Sequence, residues 1–140
     1  MVGAAFTIGA MVKVEHVALW ISDLEEMAAF YERFFGASRG EKYHNAAKGF
    51  SSYFLSFGTG ARLELMQTTA LDLPAQPRGS QRLGWTHLAL SVGSESRVDE
   101  LTQQLQNAGF ERLDGPRWTG DGYYESVVLD PEGNRLELTV

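Results

Sequence analysis

Apolar and polar positions alternate with a period of two over Val14–Ile21, and the same alternation returns over Trp85–Val92. Side chains two apart on a strand share a face, so Val17, Leu19 and Ile21 fall opposite His16, which sits with Val14, Ala18 and Trp20. In the second segment Leu88 and Leu90 fall opposite His87. After each strand the period changes to that of a helix. Leu24, Met27, Ala28, Tyr31, Phe34 and Phe35 form one stripe, Ser22-Asp23-Leu24-Glu25 reads as a capping box, and Gly36 ends the helix. In the later copy Ser96 is the expected cap, Val98, Leu101, Leu105 and Ala108 form the stripe, and Gly109 ends it. Short strands follow, around 37–42, 51–57 and 62–66, then around 111–113, 123–129 and 135–140.

The two halves are copies of one unit. Arg62-Leu63-Glu64-Leu65 recurs as Arg135-Leu136-Glu137-Leu138, and the His-to-Glu separations are 48 and 50 residues. The turn Asp130-Pro131-Glu132-Gly133-Asn134, set against Gly58-Thr59-Gly60-Ala61, supplies one of the two extra residues. The expected fold is α+β, two tandem βαβββ modules over 11–67 and 85–140. Residues 68–84, with two Pro and two Gly, read as a linker. Residues 1–10 lack a basic leader pattern and are too short to span a membrane; they read as an N-terminal extension ahead of Met11.

Composition narrows the function. The chain has 140 residues, 44% hydrophobic and 21% charged, with a net charge of −6. Its 12 basic residues form no run, which argues against nucleic-acid and anionic-membrane partners. With no cysteine, any metal must be held by His and carboxylate. A cytoplasmic location fits this usage.

Glu64 shares a strand face with Arg62 and Met66, while Leu63 and Leu65 point the other way; Glu137 repeats this between Leu136 and Leu138. The apolar faces must cover the helices, leaving His and Glu together on the opposite faces. Two such faces brought together by a pseudo-twofold would gather His16, Glu64, His87 and Glu137, a nitrogen-and-oxygen set suited to Zn²⁺, Ni²⁺, Co²⁺, Fe²⁺ or Mn²⁺. A single strand His is ordinarily a packing residue and a single terminal-strand Glu ordinarily faces water. The duplicated register is what singles these four out, and a metal-free His–Glu hydrogen-bond network is the alternative. His44 lies outside the repeat and reads as a surface loop residue. Tyr53, Trp118, Tyr123 and Tyr124 are candidates for the mouth of the site or for the core.

On His16, Phe30-Tyr31, Arg62–Leu65, His87–Val92 and Asp130–Leu138, the chain resembles the vicinal oxygen chelate superfamily and, within it, glyoxalase I (lactoylglutathione lyase). The resemblance implies a half-open barrel around one divalent metal, with Ni²⁺ or Co²⁺ preferred, and ligands His16, Glu64, His87 and Glu137. It implies Glu64 or Glu137 as the catalytic base, a small substrate bound through adjacent oxygens, and a homodimer. Extradiol dioxygenases and fosfomycin-resistance proteins of the superfamily use only the two His and the final Glu, so Glu64 favours the isomerase-type site. Trp20 and Thr68 stand where glyoxalase I carries an Arg and an Asn, one of which helps bind glutathione. Other expectations are an epimerase or dioxygenase-like enzyme on the same site, or a ligand-sequestering protein like the bleomycin-resistance members. Modules could pair within one chain or between two, since a linker of about 17 residues reaches roughly 50 Å.

Overall fold

A computed structural model describes residues 12–71 and 77–140. The expected extension and part of the expected linker therefore lie outside the described residues. The elements run β1 (His16–Trp20), α1 (Leu24–Phe35), β2 (Ser38–Arg39), β3 (Tyr43–Asn45), a 3₁₀ turn (Ala46–Lys48), β4 (Phe50–Ser56) and β5 (Arg62–Thr68). They continue with β6 (Leu88–Ser91), α2 (Glu95–Asn107), β7 (Arg112–Trp118), β8 (Tyr124–Leu129) and β9 (Arg135–Thr139). One sheet is ordered β1-β5-β4-β2, with β3 also on β4; the other is ordered β6-β9-β8-β7. This is the duplicated α+β architecture, and neither sheet closes into a barrel.

Register preserves the duplication. β1 runs parallel to β5 with Ala18 opposite Glu64, and β6 runs parallel to β9 with Ala89 opposite Glu137. Leu63, Leu65, Leu136 and Leu138 are all at most 2% exposed, which puts each sheet's apolar face under its helix. One continuous core joins both modules.

Several local expectations shift. Asp23, not Ser22, caps α1, its carboxylate accepting from the Glu26 N–H at 3.0 Å. The reason is long-range: the Glu132 carboxylate already takes the Ser22 and Asp23 N–H groups at 2.7–2.9 Å. Ser94, not Ser96, caps α2 by accepting from the Arg97 N–H. Ala108 is exposed as the C-cap of α2, and Thr102 takes the buried place, bonded to the Val98 carbonyl and the Ser126 hydroxyl. Phe30, outside the expected stripe, is buried because its ring meets Phe110 of the second module at 4.9 Å. β7 is longer than expected, β2 is shorter, and the first module adds β3.

The seam between modules is polar as well as apolar. Tyr31 Oη donates to Asp130 at 3.1 Å, and both side chains are fully buried. Asp130 also accepts from the Glu132 N–H, the Asn134 N–H and the Asn134 amide. The edge strands β1 and β6 approach across a crevice of about 130 Å³ lined by Val17, Leu63, Leu88 and Leu90. The sheets thus join edge to edge, each covered by its own helix. Among the described residues no helix is long and apolar enough to cross a membrane.

Candidate metal centre

Each sheet brings one His and one Glu together on the face away from its helix. His16, the first residue of β1, places Nε2 3.7 Å from Glu64 Oε1. His87, one residue before β6, places Nε2 3.2 Å from Glu137 Oε2. Both glutamates are well shielded, with side chains 14% and 18% exposed.

The first pair is held from behind. The Glu15 carboxylate binds His16 Nδ1 and also the Arg62 guanidinium. The His16 contact first, and then Arg62, holds Glu15 below the usual carboxylate range. With Nδ1 donating to Glu15, Nε2 is the ring nitrogen turned toward the Glu64 carboxylate, where it can donate to that carboxylate or share a cation with it. Phe54 packs edge-on against the His16 ring at 5.3 Å, and Arg62 lies over Phe54 at 4.1 Å.

Of the two separations, that of His87 and Glu137 suits a shared ion. Donors about 2.0–2.2 Å from one tetrahedral or octahedral metal lie about 2.9–3.6 Å from each other. The His87–Glu137 pair falls inside that span and His16–Glu64 just beyond it. The donor set is imidazole and carboxylate only, as expected for a chain without cysteine. Among the described residues, however, no group of three or more His, Asp or Glu side chains is placed to hold one metal ion. The four expected ligands stand as two matched pairs, one on each sheet.

Other candidates resolve differently. His44 is exposed, on the short strand β3 and not in a loop, with Nδ1 2.8 Å from Ser51 Oγ. Tyr53 is buried on the helix side and donates to Glu25. Tyr124 bonds Asp99 of α2, and Trp118 packs on Tyr124. Only Tyr123 of this group lines the concavity around His87. That concavity, about 380 Å³, is formed by His87, Ala89, Asp121, Tyr123, Glu125, Glu137 and Thr139. Glu125 is the residue the motif reading missed. It lies against Glu137, and burial first, with Glu137 beside it, pushes its pKa up to about 7. A lone carboxylate in the otherwise uncharged strand β8 is the signal that would have flagged it. On the first sheet Trp20 is half exposed and meets Phe50 edge-on at 6.1 Å, with Tyr43 on the other side of Phe50.

Tandem β-α-β units, joined edge to edge with an apolar face under a helix and a His–Glu pair on each open face, define a glyoxalase-like fold. The model of the Glyoxalase/Bleomycin resistance protein/Dioxygenase superfamily matches residues 13–138, and the chain belongs to that superfamily. It is 28% identical over 129 residues to the uncharacterised protein YqjT of Bacillus subtilis (strain 168), covering 89% of this chain and 96% of that one. It is 27% identical over 127 residues to the glutathione transferase FosA of Serratia marcescens, covering 91% and 79%. Among solved structures, the trypanothione-dependent glyoxalase I of Leishmania major superposes with a TM-score of 0.72 at 20% identity, covering 92% and 86%. At that identity the likeness concerns the fold.

Proposed function

We propose that this chain is a metal-dependent enzyme resembling glyoxalase I, a lyase or isomerase that moves a proton on a small 2-oxo or hemithioacetal substrate chelated through adjacent oxygens. The observation that carries the reading is the matched contact of His16 with Glu64 and of His87 with Glu137, on equivalent strands of two equivalent sheets. These four residues would hold one divalent ion, with Ni²⁺ or Co²⁺ preferred over Zn²⁺, Fe²⁺ or Mn²⁺. When bound, such an ion supplies Lewis-acid stabilisation of negative charge on a substrate oxygen. The chain supplies the proton chemistry. Glu64 or Glu137 takes the proton from the carbon beside the carbonyl and returns it to the neighbouring position, which a shielded carboxylate does better than a solvated one.

The site is completed by a second copy. Each described chain offers two half-sites on open sheet faces, and the seam of Tyr31–Asp130 and of Glu132 with the α1 N-terminus joins its own modules edge to edge. The first module of one copy then faces the second module of its partner. A twofold axis makes two equal sites per dimer.

A second reading, a thiol-transferring enzyme, draws on the relative named as a glutathione transferase. Glu64 separates the two readings. With Ni²⁺- or Co²⁺-loaded protein, incorporation of solvent deuterium into oxo-substrates is followed by NMR for wild type, Glu64→Gln and Glu137→Gln. At least one variant should lose on the order of 10²-fold or more in turnover beyond its loss of metal. Turnover close to wild type in both metal-saturated variants removes glutamate as the base.

A further inference from the structure

We infer that Glu125 and Asp121 make this site selective for substrates whose body, beyond the chelating oxygens, is apolar and uncharged or cationic, and selective against bodies carrying a carboxylate, phosphate or phosphonate. The inference rests on the metal-site reading above.

Charge on the two open faces sets this preference. A divalent ion matches Glu64 and Glu137. Arg62 is bound to Glu15. Arg117 stands opposite Glu125 in the β7–β8 register but is bound to Asp114 at 2.6 Å. Arg135 shares the Glu137 face, and its Nε donates to the Gly79 carbonyl at 3.0 Å, at the opposite end of β9 from Thr139. Glu125 and Asp121 form no ion pair among the described residues, and both line the concavity that holds His87 and Glu137. Among the described residues Asp121 accepts only from the Thr119 hydroxyl. An anionic group entering here would meet the two acidic side chains and, among the described residues, no arginine without a partner of its own.

The same concavity is lined by a residue with an unpartnered polar atom. The Thr139 hydroxyl oxygen is shielded from solvent and has no hydrogen-bond partner, alone in this among the described side chains. Thr139 lies directly opposite Glu125 in the β8–β9 register.

The partner half-site has the opposite character. Trp20 stands opposite Met66 just as Ser91 stands opposite Thr139, so in the duplication the Glu125–Thr139 level of one module corresponds to the Trp20–Met66 level of the other. There the open face is aromatic: Trp20 is 49% exposed, with Phe50 packed beside it and Tyr43 against Phe50. One wall thus favours an apolar body and the other repels anions.

Hydroxamates chelate through adjacent oxygens and test this without turnover. Co²⁺-loaded protein is titrated with acetohydroxamate, benzohydroxamate, 4-carboxybenzohydroxamate and 4-(aminomethyl)benzohydroxamate, reading the visible Co²⁺ spectrum and calorimetry. Benzohydroxamate should bind on the order of tenfold tighter than acetohydroxamate, and Trp20→Ala should remove that gain. The carboxylate-bearing probe should bind at least about tenfold more weakly than the ammonium-bearing one, and Glu125→Gln with Asp121→Asn should shrink that ratio at least about tenfold. Equal affinity of wild type for the two charged probes overturns the inference, and this comparison needs no variant to fold. A ratio unchanged in the double variant overturns the assignment to Glu125 and Asp121. Protein that retains no Co²⁺, or whose spectrum no hydroxamate alters, overturns the metal-site reading and this inference with it.

Discussion

Tyr31→Phe tests the seam that joins the modules. Tyr31 is fully buried, and its hydroxyl donates to the buried Asp130 carboxylate at 3.1 Å, across 99 residues of sequence. Phenylalanine keeps the ring, which packs against Phe30 at 5.2 Å and Phe35 at 5.9 Å, so the change removes one hydrogen bond and little volume. A hydrogen bond to a charged group contributes about 1.5–3 kcal/mol. Asp130 keeps the donors from Glu132 and Asn134, so the carboxylate is not stranded and the lower part of that range, about 1.5–2 kcal/mol, applies. With a urea m-value of about 2 kcal/mol/M, the unfolding midpoint should fall by about 0.7–1 M at fixed protein concentration. Tyr53→Phe is the control, because the Tyr53 hydroxyl donates to Glu25, whose carboxylate is largely exposed. That loss should stay below about 0.5 kcal/mol. Equal midpoint shifts for the two variants would refute the claim that the buried Tyr31–Asp130 bond holds the modules together.

Two further outcomes follow from the site. Glu15→Gln removes the carboxylate behind His16 Nδ1 and should weaken metal binding about 10- to 100-fold, measured by competition with a chelating indicator, while the far-ultraviolet circular dichroism stays unchanged. The hemithioacetal of methylglyoxal and glutathione should be turned over poorly, with an elevated KM, because Trp20 and Thr68 replace two polar side chains of the glyoxalase I pattern; kcat/KM above about 10⁶ M⁻¹s⁻¹ in steady-state assays would contradict this.

Much of the architecture was legible because the chain states it twice. The repeated Arg-Leu-Glu-Leu and the matched His positions set the sequence of elements and the face of each strand, and the buried leucines at 63, 65, 136 and 138 lie where alternation put them. What escaped the reading depends on contacts between modules or on differences between copies. The helix cap moved from Ser22 to Asp23 because Glu132, 110 residues away, takes the backbone donors that a local capping box would use. Phe30 is buried by Phe110, a contact that helix periodicity within one module does not contain. Glu125 stands where the first module has Ser52, opposite Met66 in one copy and Thr139 in the other, so a search for what repeats passes over it. The pairing of His16 with Glu64 and of His87 with Glu137 follows from the strands, whereas the meeting of the two pairs depends on a second copy.

That meeting is tested most directly by mixing two inactive variants. His16→Ala and His87→Ala are each purified, unfolded and refolded together, incubated with Ni²⁺ or Co²⁺, desalted and analysed for bound metal. Each variant alone should retain little. In the mixture, half the dimers should contain one chain of each kind, and each of these should carry one site with both lesions and one intact site, so metal retention should return to about one quarter of wild type. Metal retained at the wild-type level by both single variants would contradict the His16–Glu64–His87–Glu137 site, and a mixture that recovers none would contradict its assembly from two copies.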